Sequence, residues 1–318
     1  MRGVTARAGV MIIAELGGDR GRASTLYNRR LHCQRPPNVR KHIVCLTFDF
    51  DAISGLIARG QTTPSWLSRG EFGPRVGAPR LLALFARYGI ATPWYVPGHT
   101  IETFPASVEA VVAGGHEIAH HGWTHRPPAT LTREEEEREL VRGNEAIKRI
   151  SGQTARGYRS PSWDLSPHSV ELMLKHGFVY DSSMMGDDYT PYYARQGDVI
   201  APTEPARFGT RSALVEMPIH WSTDDSPHFE FVRAEQQSRP GLKNANCVLA
   251  NWVDDFLYMK RTMEWGVLTF TCHPFIIGRG HRILMLERLI QRLLAEGAVF
   301  QRVDHTVEEF TARHALAA

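Results

Sequence analysis

The sequence predicts an α/β fold, a distorted (β/α) barrel built on a mainly parallel sheet. Three observations predict it. Apolar runs of strand length alternate with amphipathic helical stretches from residue 43 to the end, the pattern of βα units. Asp49, Asp51, His121, His125, Arg159 and His273 all fall at the C-terminal ends of predicted strands. That is the face on which such barrels build their sites. The chain has 318 residues, 42% apolar and 22% charged, enough for one large domain with a sizeable core.

Residues 1–41 hold nine Arg/Lys against two acids, Glu15 and Asp19, so they carry +7 of a net +3 and the remainder carries −4. They read as a basic N-terminal arm outside the core, with residues 42–318 as the single folded domain. A nucleic-acid binder would spread its basic residues over the fold, so no nucleic acid is expected. The apolar patch Val10–Ala14 is cut short by Glu15, whereas a secretory signal is expected to be longer; an Arg-rich, acid-poor transit peptide is the alternative reading. No apolar run reaches membrane-spanning length. Cys33, Cys45, Cys247 and Cys272 are widely spaced, which points to free thiols and a cytoplasmic, reducing compartment.

Ile43–Asp51, IVCLTFDFD, is the first strand. Ala52–Pro79, rich in Gly and Pro, reads as a long irregular loop beside the site. Pro79–Tyr88 is an amphipathic helix with Leu81, Leu82, Leu84 and Phe85 in its stripe and Gly89 as its stop. Thr92–Pro97 is a strand, Pro105–Ala113 a helix ended by Gly114 and Gly115, and His116–Ala119 the next strand. Thr132 and Glu135 form a capping box that opens a helix to Ser151, closed by Gly152. The acidic run Glu134–Glu137 sits in its first turn, as a solvated face that suits the helix dipole. Arg156–Ser160 is a strand and Ser166–His176 a helix stopped by Gly177. Phe178–Asp181 and Ala213–Pro218 are strands separated by a polar, aromatic loop. Cys247–Met263 is a helix, Gly266–Cys272 a strand, His281–Ala295 a helix and Val299–Val303 the last strand, before a short closing helix.

The chemistry centres on His116–His125, HEIAHHGWTH. His121 and His125 stand four apart, and neutral imidazole is the commonest zinc ligand among side chains. Two histidines do not close a metal site, and the nearest candidate donor is the Asp-x-Asp of Asp49 and Asp51. Two His and one Asp leave an open coordination position, the mark of a catalytic zinc site. His-x-x-x-His alone is a common chance match; the carboxylates at a strand end make it more.

The chain resembles the polysaccharide deacetylase family, also known as the NodB-homology or carbohydrate esterase family 4 fold. The likeness covers roughly residues 43–303. It rests on TFDFD at 47–51, HGWTH at 121–125, YRSPSW at 158–163 and TCHP at 271–274, in the family's order. SRGEFG at 68–73 and YDSS at 180–183 make it most similar to the branch of peptidoglycan-deacetylase-like proteins, cyclic imide hydrolases and metal-free allantoinases. Phe50 separates the two acids, as in that branch. The metal-free allantoinases lack the second histidine, so His125 favours a metal.

The resemblance implies a role for each residue. Asp51, His121 and His125 bind one divalent ion, zinc. Asp49 is the general base. Arg159 pairs with Asp49, as a cation that favours a carboxylate in its charged form. His273 is the general acid for the leaving nitrogen, and either Asp224 or Asp225 orients it. Trp163, Asp225 and Glu71 are candidate substrate contacts, and Trp221 and Tyr189 candidate pocket walls. The implied activity is hydrolysis of non-peptide C–N bonds, as a polysaccharide or peptidoglycan de-N-acetylase. The alternatives are a cyclic imide or ureide amidohydrolase acting on a small ring, and a non-catalytic metal or carbohydrate binder. The branch also implies a homo-oligomer whose partner loops narrow the site.

Overall fold

A computed structural model describes residues 40–234 and 237–316. The expectations for residues 1–39 of the arm, with Val10–Ala14 and Cys33, lie outside the described residues. In chain order the strands are β1 (Lys41–Asp49), β2 (Pro93–Val96), β3 (Glu117–His120), β4 (Gly157–Tyr158), β5 (Tyr180–Asp181) and β6 (Tyr192–Gln196). They continue with β7 (Val199–Ala201), β8 (Glu204–Arg207), β9 (Thr210–Glu216), β10 (Val232–Ala234), β11 (Gln237–Arg239), β12 (Trp265–Cys272) and β13 (Val299–Phe300).

One curled sheet runs β12-β1-β2-β3-β4-β5-β9-β6, with β13 also on β1. Every pair in it is parallel except β6 with β9. The architecture is the distorted (β/α) barrel that the alternation predicts. Its seam is bridged where the Val267 N–H donates to Tyr189 O at 2.9 Å and where Asp224 pairs with Thr271.

The two-residue period of β1 sorts its side chains. Val44, Leu46 and Phe48 face the helices in the larger core. Ile43 and Cys45 face the barrel interior with Tyr95, Tyr180, Val215 and Val267. Val303, Val307 and Phe310 of the C-terminal helix Val303–Arg313 belong to the same inner cluster. Thr47 and Asp49 continue the inner row, so alternation itself carries Asp49 to the interior at the C-terminal end of β1. Each fully buried Val, Leu or Ile contributes roughly 1.5–3 kcal/mol. Cys45 and Cys272 are buried free thiols.

Several helices form where the sequence predicts them. Pro105–Ala113 is a helix with those bounds. The helix Arg133–Ser151 opens on the Thr132–Glu135 capping box and ends at Gly152, with φ of 76°. Gly89 ends Ala78–Tyr88 at φ of 63°. Among the described residues no helix is long and apolar enough to cross a membrane.

Four expectations are corrected. Lys41, counted with the arm, is the first residue of β1. Ala52–Pro79 is mostly helical, as Ser54–Ala58, Pro64–Phe72 and a π-helical turn Gly73–Gly77 that runs into Ala78–Tyr88. Two of its glycines serve close packing rather than turns: a Cβ on Gly70 would lie 2.6 Å from Ala52 O, and one on Gly77 would lie 2.1 Å from Pro274 O. The loop expected before β9 contains β6, which pairs with β9, and the β7–β8 ribbon. The acidic run is not wholly solvated either. Glu136 is buried and accepts hydrogen bonds from Ser166 and Ser169, both at 2.5 Å, which ties its helix to the next.

Candidate active site

The end of β1 and the loops after β1, β3, β4 and β12 bring Asp49, Asp51, His121, His125, Arg159 and His273 together, all buried. Asp51, His121 and His125 offer ligand atoms that all lie within 4.8 Å of one another. His121 Nε2 stands 3.4 Å from Asp51 Oδ1, and His125 Nε2 stands 3.5 Å from Asp51 Oδ2. The first two atoms face each other without forming a hydrogen bond, and neither has another hydrogen-bond partner. Buried polar atoms left this way are unfavourable unless something occupies the space between them.

The donor set fits a divalent cation. His121 Nδ1 lies 2.7 Å from Arg159 O. A carbonyl only accepts, so Nδ1 carries the hydrogen and Nε2 presents its lone pair, a second contact typical of metal-binding histidines. Burial alone would raise the Asp51 carboxylate, but His125, His121 and His273 outweigh it and hold Asp51 well below its usual range. Burial pushes His125 down to about 4, so at neutral pH it is a neutral donor. Burial also lowers His121, yet Asp49 and Asp51 outweigh it and its net shift is upward. A proton at that nitrogen is what a cation would displace.

Asp49 flanks this triad, with Oδ2 at 3.8 Å from His121 Nε2. Arg159 Nη1 donates to Asp49 Oδ1 at 2.7 Å and to Thr47 Oγ1 at 2.8 Å. Its Nε and Nη2 donate to Ser182 O and Ser182 Oγ, both at 2.9 Å, and its guanidinium lies 4.0 Å from the Tyr95 ring centroid. On the other side of the triad, His273 Nε2 stands 4.0 Å from Asp51 Oδ2.

Asp225, expected among the substrate contacts, is fully buried and binds His273 instead. Its Oδ1 lies 2.7 Å from Nδ1, and its Oδ2 accepts the His273 backbone N–H at 3.0 Å. Asp224 stands off at 3.6 Å and accepts from Ser226 N–H. Asp224, Asp225 and His273 are close enough to hold an ion, but these hydrogen bonds already use the Asp225 oxygens. Trp163 stacks on Trp221, ring centroids 4.0 Å apart, with Trp221 partly exposed. Tyr189 lines a separate cavity of about 210 Å³ with Asp188, His220 and Asp255. Glu71 pairs with Arg75 at 3.0 Å, one turn along the helical segment.

Backbone strain collects here. Ala52 (φ 49°), His125 (φ 60°), Ser162 (φ 58°) and Trp163 (φ 57°) are left-handed without being glycine. They follow Asp51, end the histidine pair and follow Arg159. Non-glycine residues in that region are costly, and they gather at functional sites. Sequence reasoning gave no role to Thr47 or Ser182, although the two-residue period from Asp49 and the YDSS motif carried the signal. His116 and His120 are structural: Nδ1 of each accepts a backbone N–H, from Thr92 and Gly122.

The chain is similar to known proteins in sequence and in fold. The polysaccharide deacetylase family model matches residues 37–180. A peptidoglycan deacetylase of Helicobacter pylori is 35% identical over 285 residues, spanning 86% of this chain and 97% of the relative. The chain belongs to the polysaccharide deacetylase family. As a family member it is a hydrolase of C–N bonds other than peptide bonds. A peptidoglycan deacetylase-like protein of Gibberella zeae is 29% identical over 94% of this chain and 96% of its own. A Mycobacterium smegmatis structure assigned to the polysaccharide deacetylases superposes with a TM-score of 0.77 at 28% identity, over 89% of this chain and 96% of that one. The allantoinase PuuE superposes at 0.69 with 20% identity, over 89% and 94% of the two chains, a likeness of fold alone.

Proposed function

We propose that this deacetylase removes acetyl groups from an N-acetylated glycan of the peptidoglycan type, with zinc held by Asp51, His121 and His125. The observation that carries the proposal is the grouping of those three donors with two polar pairs, Asp49–Arg159 and Asp225–His273, on either side. The near full-length likeness to a peptidoglycan deacetylase supports the glycan. Zinc, when bound, polarises an amide oxygen and makes water a stronger acid.

The chain's own groups supply the rest. Asp49 takes the proton of the attacking water; Arg159 holds its carboxylate, and Thr47 accepts from the same Arg159 nitrogen. His273 gives a proton to the leaving nitrogen, so water and the acetamide become acetate and a free amine. Asp225 fixes the tautomer and direction of His273. Assembly as a homo-oligomer, carried from the branch resemblance, and a cytoplasmic location, carried from the widely spaced cysteines, belong to the same proposal.

Purified, zinc-loaded protein should be assayed on N-acetylated oligosaccharides, succinimide-like imides and allantoin. Acetate release from the oligosaccharides is the expected result. Turnover confined to the imides or to allantoin would establish the small-ring alternative instead. Sedimentation at micromolar concentration tests the oligomer, and a monomer would remove that part of the proposal.

A further inference from the structure

A cavity of about 540 Å³ shares walls with the machinery but holds none of it. Phe229, from the short helix that begins at Asp225, forms one side, and Phe275 and Ile276, just after His273, form another. Among the described residues its polar lining is cationic, with Arg69, Arg279 and Arg282 beside one carboxylate, Glu230.

Glu230 is taken by Arg69, at 3.0 Å, and by Ser226, at 3.1 Å. Among the described residues Arg279 and Arg282 form no ion pair. Arg282 is only 8% exposed. Its Nη atoms donate to Ile276 O at 3.0 Å and Phe229 O at 3.3 Å, while its buried Nε has no hydrogen-bond partner. Arg279 is held over the Phe72 ring, 3.6 Å from its centroid. Burial, and then the charges of Arg69 and Arg80, push the Arg279 guanidinium down. Gly280 and His281 also line the cavity, where the helix Gly280–Ala295 begins with no side-chain cap. The positive end of a long helix therefore opens onto the same space.

We propose that this cavity binds a small oxyanion, phosphate or a carboxylate group. Arg279 and the first amides of the Gly280–Ala295 helix hold it, the buried Arg282 charge lies behind them, and Arg69 is shared between the anion and Glu230. The anion is either free in solution or a carboxylate borne by the glycan that the proposed activity would use.

Inorganic phosphate, titrated calorimetrically into the full chain at constant ionic strength, is the probe. It should bind, and Arg279→Gln should weaken it about tenfold or more, as expected for losing a charge-assisted donor. Glu230→Gln should tighten it, because Arg69 loses its competing carboxylate. Asp51→Asn should leave it unchanged, which separates this site from the proposed metal centre. No binding, binding untouched by Arg279→Gln, or binding lost in Asp51→Asn each overturns the proposal. Unchanged melting of Arg279→Gln without phosphate controls for folding. Oligosaccharides with and without a carboxylate then distinguish the sources. A KM advantage of the acidic substrate that Arg279→Gln abolishes assigns the anion to the substrate. Equal KM values with phosphate binding intact assign it to solution.

Discussion

Asp225 holds His273 at two points, one carboxylate oxygen at 2.7 Å from Nδ1 and the other accepting the backbone N–H at 3.0 Å. One contact fixes the tautomer and the other fixes the main chain that carries the ring. Burial alone would lower the His273 pKa, but Asp225, Asp224 and Asp51 outweigh it and raise it well above its ordinary value. The imidazole therefore keeps its proton at neutral pH and loses it only as pH rises through that raised pKa.

Activity should accordingly fall on the alkaline side. Asp225→Asn removes the largest counter-charge, so the alkaline limb should move to lower pH and turnover should drop about 100-fold or more, the scale of general-acid catalysis. Asp224→Asn should cost less, because Asp224 lies 3.6 Å from Nδ1 and is held by Ser226. Rate–pH profiles of the three proteins check this. Equal losses in both variants would leave Asp225 without its special role.

The two acids of the first strand should separate metal binding from catalysis. Asp51→Asn should lower bound zinc, because an amide offers no charge to the ion. Asp49→Asn should keep the zinc and lose about 100- to 10,000-fold in turnover, since an amide cannot take a proton. Elemental analysis and acetate release are measured on both variants. Zinc lost from Asp49→Asn and retained by Asp51→Asn would reverse the two assignments.

Arg159 should matter to the fold as much as to the site. It is fully buried, and its donors reach Asp49, Thr47 and Ser182. Arg159→Met strands a buried carboxylate and should destabilise the chain by about 3–5 kcal/mol. Urea unfolding gives the number, and a loss under about 1 kcal/mol, the range of an exposed pair, would show that Asp49 finds another partner.

Gly77→Ala should disturb His273 without touching it. The added Cβ would lie 2.1 Å from Pro274 O, a backbone atom one residue beyond His273. Overpacking of this kind costs about 1–3 kcal/mol, and turnover should fall while bound zinc is kept. Thermal melting, zinc content and rate, measured together, separate this from simple unfolding.

The sequence by itself determined what is local. The two-residue period of β1 put Asp49 and Asp51 on one side, and the capping box and Gly152 bounded the helix Arg133–Ser151. Apolar runs located the strands, and the motifs at their ends named the candidate metal donors and the Asp49–Arg159 pair, with Asp224 or Asp225 left open for His273. Only the tertiary structure decided what depends on groups far apart in the chain. Asp224 and Asp225 are adjacent and alike, and their difference is set by the way β12 returns His273 to one of them from 48 positions away. The glycines of 52–79 look like loop residues until Ala52 and Pro274 are seen against them. Glu136 looks solvated until Ser166 and Ser169 fold over it. Periodicity and capping act between neighbours in sequence, whereas burial and hydrogen-bond choice depend on which distant atoms arrive.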